Sequence, residues 1–205
     1  MIIGRKYFFV GGTFVLLLLL FSCTSTKLKS VWKDNAYNQY ANNVMVVGVA
    51  ARHEIRIFFE KEFVKQFKAV GVEAITSVEA IPSEDELKAS VILAEARKRG
   101  VDMIMVTHVV SFDDKSVDSS SSSASIFHTD YRNVSIYILN SGYYAQGIER
   151  TQGVTLTTKL YETKTEKLIW SATSKTLEPD LSEYNIVKSL SKVIIESLYD
   201  NKLIR

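Results

Sequence analysis

The chain has 205 residues, 46% hydrophobic, 11% aromatic and 23% charged, with two prolines; that is enough apolar side chain for one core and excludes a disordered or collagen-like polymer. Lys and Arg number 25 against 23 Asp and Glu, and two of the basic residues, Arg5 and Lys6, precede Cys23 in a stretch without acids, so the remainder balances at 23 to 23 and lacks the basic excess of a nucleic-acid binder. A single cysteine excludes an internal disulfide and a cysteine-based metal cluster.

Arg5 and Lys6 lead into an apolar run from Tyr7 to Phe21, after which Ser22, Cys23 and Thr24 turn the chain polar. This is the layout of a secretory signal over residues 1–22. The run is shorter than the ~20 apolar residues of a spanning helix. Leu20-Phe21-Ser22-Cys23 resembles the bacterial lipobox, although Phe21 is bulkier than usual there. The resemblance implies cleavage before Cys23, a diacylglycerol on its thiol and a fatty acyl group such as palmitate on its amine. At about 0.8 kcal/mol per buried methylene, several acyl chains make a lasting anchor. Thr24 in place of aspartate implies sorting to the outer membrane with the protein facing the periplasm; the inner membrane is the alternative.

Residues 23–43 are expected to be the lipidated cysteine and a polar tether, and 44–205 a single mixed α/β domain. Val44 to Ala50 is a nearly continuous apolar run, as expected of a strand covered on both faces. From Glu54 to Val70, Ile55, Phe58, Phe59, Phe63, Phe67 and Val70 recur at helical spacing while Arg56, Glu60, Lys61 and Lys65 fill the polar positions, and Gly71 ends the helix. Val72 to Val78 reads as a strand. Ser83 and Glu86 fit a capping box opening a second helix, which closes on Arg97-Lys98-Arg99-Gly100. Val101 to Val110 is a third strand, so the order is β-α-β-α-β with right-handed crossovers. Ser111 to Ser125 is serine-rich and predicted to be a loop. Tyr131 to Leu139 alternates as a strand, Val154 to Leu160 and Leu168 to Ala172 form an antiparallel hairpin turning at Glu162 to Lys167, and Asp180 or Ser182 caps a last helix striped by Val187, Leu190, Ile194 and Leu198.

Several stretches look familiar together. The lipobox, Val31-Trp32-Lys33-Asp34, Val46-Val47-Gly48-Val49 leading to Phe59-Glu60-Lys61-Glu62-Phe63, Lys68 to Ala74, Gly100-Val101-Asp102 and the hairpin from Leu160-Tyr161-Glu162 to Leu168-Ile169-Trp170 resemble a family of uncharacterised bacterial envelope lipoproteins, the DUF4136-like group. The βαβαβ order is also similar to the amino-terminal domain of TolB and to lipoprotein domains that activate peptidoglycan synthases or build the curli secretion pore. The resemblance implies this fold, an envelope location and, by analogy, binding of other envelope proteins.

Motifs for chemistry are sparse. His53, His108 and His128 show no metal-ligand spacing, and His108 sits in an apolar strand. Ser119 to Ser123 lacks a nucleophile elbow, and no glycine pattern cradles phosphate. Asp113, Asp114 and Asp118 lack the glycine and final glutamate of a calcium loop. Neither catalytic residues, metal ligands nor a cofactor site are therefore assigned. Ligands of open parallel sheets meet the carboxyl ends of strands. Those ends place Arg52 and His53 after the first strand and Ser111, Asp113 and Asp114 after the third, a candidate partner-binding edge. The expectation is a lipid-anchored, non-enzymatic envelope protein with a protein partner and no nucleic acid. The alternatives are an envelope hydrolase acting near peptidoglycan, or a small-ligand carrier with a pocket of Tyr131, Tyr137, Tyr143 and Tyr144; the hairpin with Trp170 is a second possible interface.

Overall fold

The structure is a computed structural model and describes residues 25–50, 52–83, 86–114, 151–177 and 182–205. Among these, six strands form one sheet: β1 (Ser25–Lys33), β2 (Asn43–Val49), β3 (Glu73–Thr76), β4 (Met103–Asp114), β5 (Thr151–Glu162) and β6 (Leu168–Leu177), in the order β1-β6-β5-β4-β2-β3. Three helices, α1 (His53–Ala69), α2 (Ala89–Lys98) and α3 (Glu183–Asp200), complete a mixed α/β fold. None of the described helices is long and apolar enough to cross a membrane.

Helical crossovers make β2, β3 and β4 parallel, since a strand can return alongside its predecessor in the same direction only after a helix carries the chain back. α1 and α2 both end on a glycine in the left-handed region, Gly71 at φ 79° and Gly100 at φ 65°. In each case the amide of the residue after the glycine bonds back five positions, Val72 N–H to Phe67 O at 3.0 Å and Val101 N–H to Ala96 O at 2.9 Å. That double closure needs a positive φ, which glycine adopts at no steric cost. The other half of the sheet is antiparallel. β5 returns along β4, and the expected hairpin turn joins β5 to β6, closed by Glu162 N–H to Lys167 O at 3.0 Å.

Each sheet face has its own core. Val44 and Val46 of β2, Met103 and Met105 of β4, Leu156 and Leu160 of β5 and Trp170 and Ala172 of β6 pack with Phe59, Phe63 and Phe67 of α1 and with Leu190, Ile194 and Leu198 of α3. On the reverse face, Met45, Val47, Ile104, Val106 and Tyr161 pack with Ile92, Leu93 and Ala96 of α2. β2 is thus apolar from Val44 to Val49 because both its faces are covered, whereas β5 and β6 alternate where α2 does not reach. The cap expected at Ser182 is present, its hydroxyl accepting from Asn185 N–H at 3.4 Å.

Three expectations are corrected. The polar stretch assigned to a tether contains β1, which pairs antiparallel with β6 from Ser25 opposite Leu177 to Lys33 opposite Trp170. An edge strand with one hydrogen-bonded side tolerates lysines and serines that a central strand would not, so its composition resembles that of a linker. α2 starts at Ala89 with Lys88 as its cap residue, and no side chain caps it; Glu86 N–H instead donates to Ser83 O at 3.3 Å in a turn. β4 continues through Ser111 to Asp114 because β5 supplies a ladder on that side, so these residues belong to a strand and not to a loop. Residues 1–24, with Cys23, lie outside the described residues, as do 115–125, the expected strand at 131–139 and the four tyrosines.

Candidate functional site

The carboxyl ends of β2 and β3 hold a closed polar network. Arg56 and Glu60, one turn apart on α1, are both fully buried. Arg56 Nε donates to Glu60 Oε1 at 3.0 Å, and its Nη2 donates to Ser77 Oγ and to Ile81 O, each at 2.9 Å. Glu60 also accepts from the Ser77 hydroxyl at 2.7 Å, from Gly48 N–H at 3.1 Å and, at Oε2, from Val78 N–H at 2.8 Å. A carboxylate bonded by a guanidinium, a hydroxyl and two backbone amides and fully buried among them presents no surface to a ligand. The network ties α1 to β2 and to the chain leaving β3, filling the position where open parallel sheets hold ligands. Sequence reading missed it because periodicity assigns Arg56 and Glu60 to the solvent face; their spacing of seven residues, two helical turns, from the buried Phe63 and Phe67 was the available signal.

The candidate edge comes apart into two places. Arg52 and His53 are exposed at the start of α1, and Arg52 forms an ion pair with Glu183 at the start of α3 and another with Glu54 at 3.4 Å. These pairs fasten two neighbouring helix starts. Ser111, Asp113 and Asp114 stand in the β4–β5 ladder opposite Thr155, Gly153 and Thr151. Val49, the last residue of β2, is opposite His108. β4 therefore overruns β2 by five residues, about 16 Å, before reaching Asp113.

Two groups have displaced pKa values. Burial, with a smaller contribution from the Lys159 charge, pushes His108 down to about 4, so it stays neutral in the fold. Burial first, then the Glu162 and Asp102 carboxylates, pushes the Tyr37 hydroxyl up to about 12. A cleft of about 420 Å³ lies at the opposite ends of the strands, among Asn43, Glu73, Ile75 and Arg99. It contains no candidate residue. Among the described residues, no three His, Cys, Asp or Glu side chains gather as a metal site.

Exposed apolar surface is concentrated differently from expectation. Trp170 is fully buried, which removes it as an interface residue. Val31 and Trp32, adjacent on β1, are 43% and 49% exposed. Among the described residues, β1 bonds to β6 along one side and is the last strand of the sheet.

No family model matches the chain, and no curated protein matches it. Solved structures do. The chain is similar to the PelC dodecamer from Paraburkholderia phytofirmans, at 12% identity over 86% of this chain and 99% of that one, with a TM-score of 0.45. It is also similar to lipoprotein GNA1162 from Neisseria meningitidis, at 10% identity over 78% and 97% of the two chains, with a TM-score of 0.42. A third similar structure is protein XCC0632 from Xanthomonas campestris, of family DUF330, at 11% identity over 83% and 87%, with a TM-score of 0.36.

Proposed function

We propose that this is a bacterial envelope lipoprotein, anchored through a lipid on Cys23, that acts by binding another envelope protein and not by catalysis. The observation carrying the binding function is the exposure of Val31 and Trp32, one on each face of the strand that ends the sheet among the described residues, where an added partner strand would meet both. A half-exposed tryptophan keeps a large apolar area in water, and such side chains are over-represented among residues that dominate protein interfaces. An edge strand adds unpaired main-chain groups, which an extended partner segment recognises by continuing the sheet. Against catalysis stands the use of the best-placed ionisable groups: Arg56 and Glu60 saturate each other and their surroundings, and Arg52 pairs with carboxylates. Outer-membrane sorting, with the domain in the periplasm, follows from Thr24 as part of the same proposal.

The test has two arms. Changing Cys23 to Ser is expected to move the protein from the membrane fraction to the soluble one; unchanged membrane attachment overturns the anchor. A photocrosslinking residue at position 32 in intact cells is expected to give one discrete adduct that disappears when Val31 becomes Ser, with the melting temperature unchanged. An adduct that persists in that variant places the interface elsewhere.

A further inference from the structure

β1 begins at Ser25, two residues after Cys23. Two peptide steps span at most about 7 Å, so whatever holds Cys23 holds the start of β1 with it. The strand start is also pinned. Thr26 N–H donates to Ser189 Oγ of α3 at 2.9 Å, and the Thr26 and Thr176 hydroxyls bond at 2.7 Å in the buried layer under α3. Fraying β1 to lengthen the link breaks both.

The register then says which part of the domain lies beside that point. Ser25 pairs with Leu177, Leu177 with Gly153 and Gly153 with Asp113, a single row crossing β1, β6, β5 and β4. Four strands at a spacing of about 4.8 Å make this row roughly 14 Å wide. Leu177 on it is 47% exposed, leaving an apolar side chain at this end of the sheet. The β5–β6 turn, with Lys164, Glu166 and Lys167 exposed, occupies the other end of the sheet, about 30 Å away along β6.

We infer that the domain stands end-on against the lipid surface, with the Ser25-Leu177-Gly153-Asp113 end at the bilayer and the β5–β6 turn pointing away. The inference rests on the lipid anchor at Cys23 proposed above and deepens it, replacing a tethered domain by an oriented one. The Val31-Trp32 pair then stands some 20 Å above the headgroups, facing a periplasmic partner, and Arg52, His53 and Asp113 belong to the membrane-facing half.

The test uses the full-length protein extracted from membranes and reconstituted in vesicles of phosphatidylethanolamine and phosphatidylglycerol. The vesicles carry a phospholipid with a photoactivatable group at headgroup depth. Mass mapping is expected to find adducts at 25–28 and 174–177 at least fivefold denser than at 163–167. Inserting twelve Gly/Ser residues between Thr24 and Ser25 should keep the protein on the vesicles but lower the adducts at 174–177 at least fivefold. Equal labelling of both ends, or labelling unaffected by the insertion, in a protein whose intact mass shows the lipid, overturns the orientation and leaves the anchor standing. An intact mass without lipid overturns both.

Discussion

Glu60 is the residue on which most of the interior polar bonding converges, and its replacement separates two costs. Changing Glu60 to Ala leaves the Arg56 guanidinium buried without its counter-charge, a change that costs about 3–5 kcal/mol. Replacing a buried ion pair by two apolar side chains often restores stability. Here the pair Arg56→Met with Glu60→Leu is expected to stay at least about 2 kcal/mol below wild type, because Gly48 and Val78 N–H lose their acceptor whatever happens to the charge. Urea denaturation of the single and double variants measures both; full recovery in the double variant would show that the amides find other partners.

His108 makes a pH prediction with a definite sign. Its pKa is near 6.5 unfolded and about 4 folded, so the unfolded chain takes up the proton first as pH falls. The contribution is fully present above pH 6.5 and is lost progressively between pH 6.5 and 4, in total roughly 3 kcal/mol for a displacement of this size. Denaturant midpoints measured across that window should fall with acid in the wild type, and His108→Gln should flatten that limb. A parallel slope in both proteins would assign the acid sensitivity to carboxylates.

At the scale of elements, α1 approaches β2 closely at Gly48. A Cβ there would lie 2.7 Å from Phe59 Cδ1, and the Phe59 ring is itself packed on Phe63 at a centroid distance of 4.6 Å. Gly48→Ala is therefore expected to cost about 1–3 kcal/mol by overpacking. Trimming the ring by Phe59→Leu should make the alanine less costly in the double variant than alone, a coupling that a thermodynamic cycle measures. β1 gives the other prediction at this scale. As a tether it would exchange its amide hydrogens at once; as a strand paired with β6 along one side it should show slow exchange at alternate residues within 26–33, those whose amides face β6. Fast exchange throughout 26–33 would return this stretch to a linker.

Over the whole molecule, the apolar periodicities determined most of the architecture from sequence. β2, the crossover helix α1, the β5–β6 hairpin and the Ser182 cap of α3 depend on neighbours within a few residues, and local spacing records such dependence directly. The lipobox pattern ending at Cys23 is likewise local in sequence, and the anchor it implies is part of the proposal above. The arrangement of the candidate site was not. Arg52, His53, Asp113 and Asp114 were grouped by a rule about strand ends, yet where β4 ends is decided by β5, which lies beyond it in the chain and extends the ladder past β2. Arg56 and Glu60 look solvated by periodicity because nothing in their own turn announces Ser77 or the Gly48 amide. β1 shows the same limit from the other side. A lysine- and serine-rich segment has no apolar signal of its own, and the ladder with β6, far along the chain, makes it a strand. Hydrogen bonding between distant segments and burial by non-local partners are properties of the assembled sheet, and they alone decided which strand ends meet at Ser25, where β1 begins.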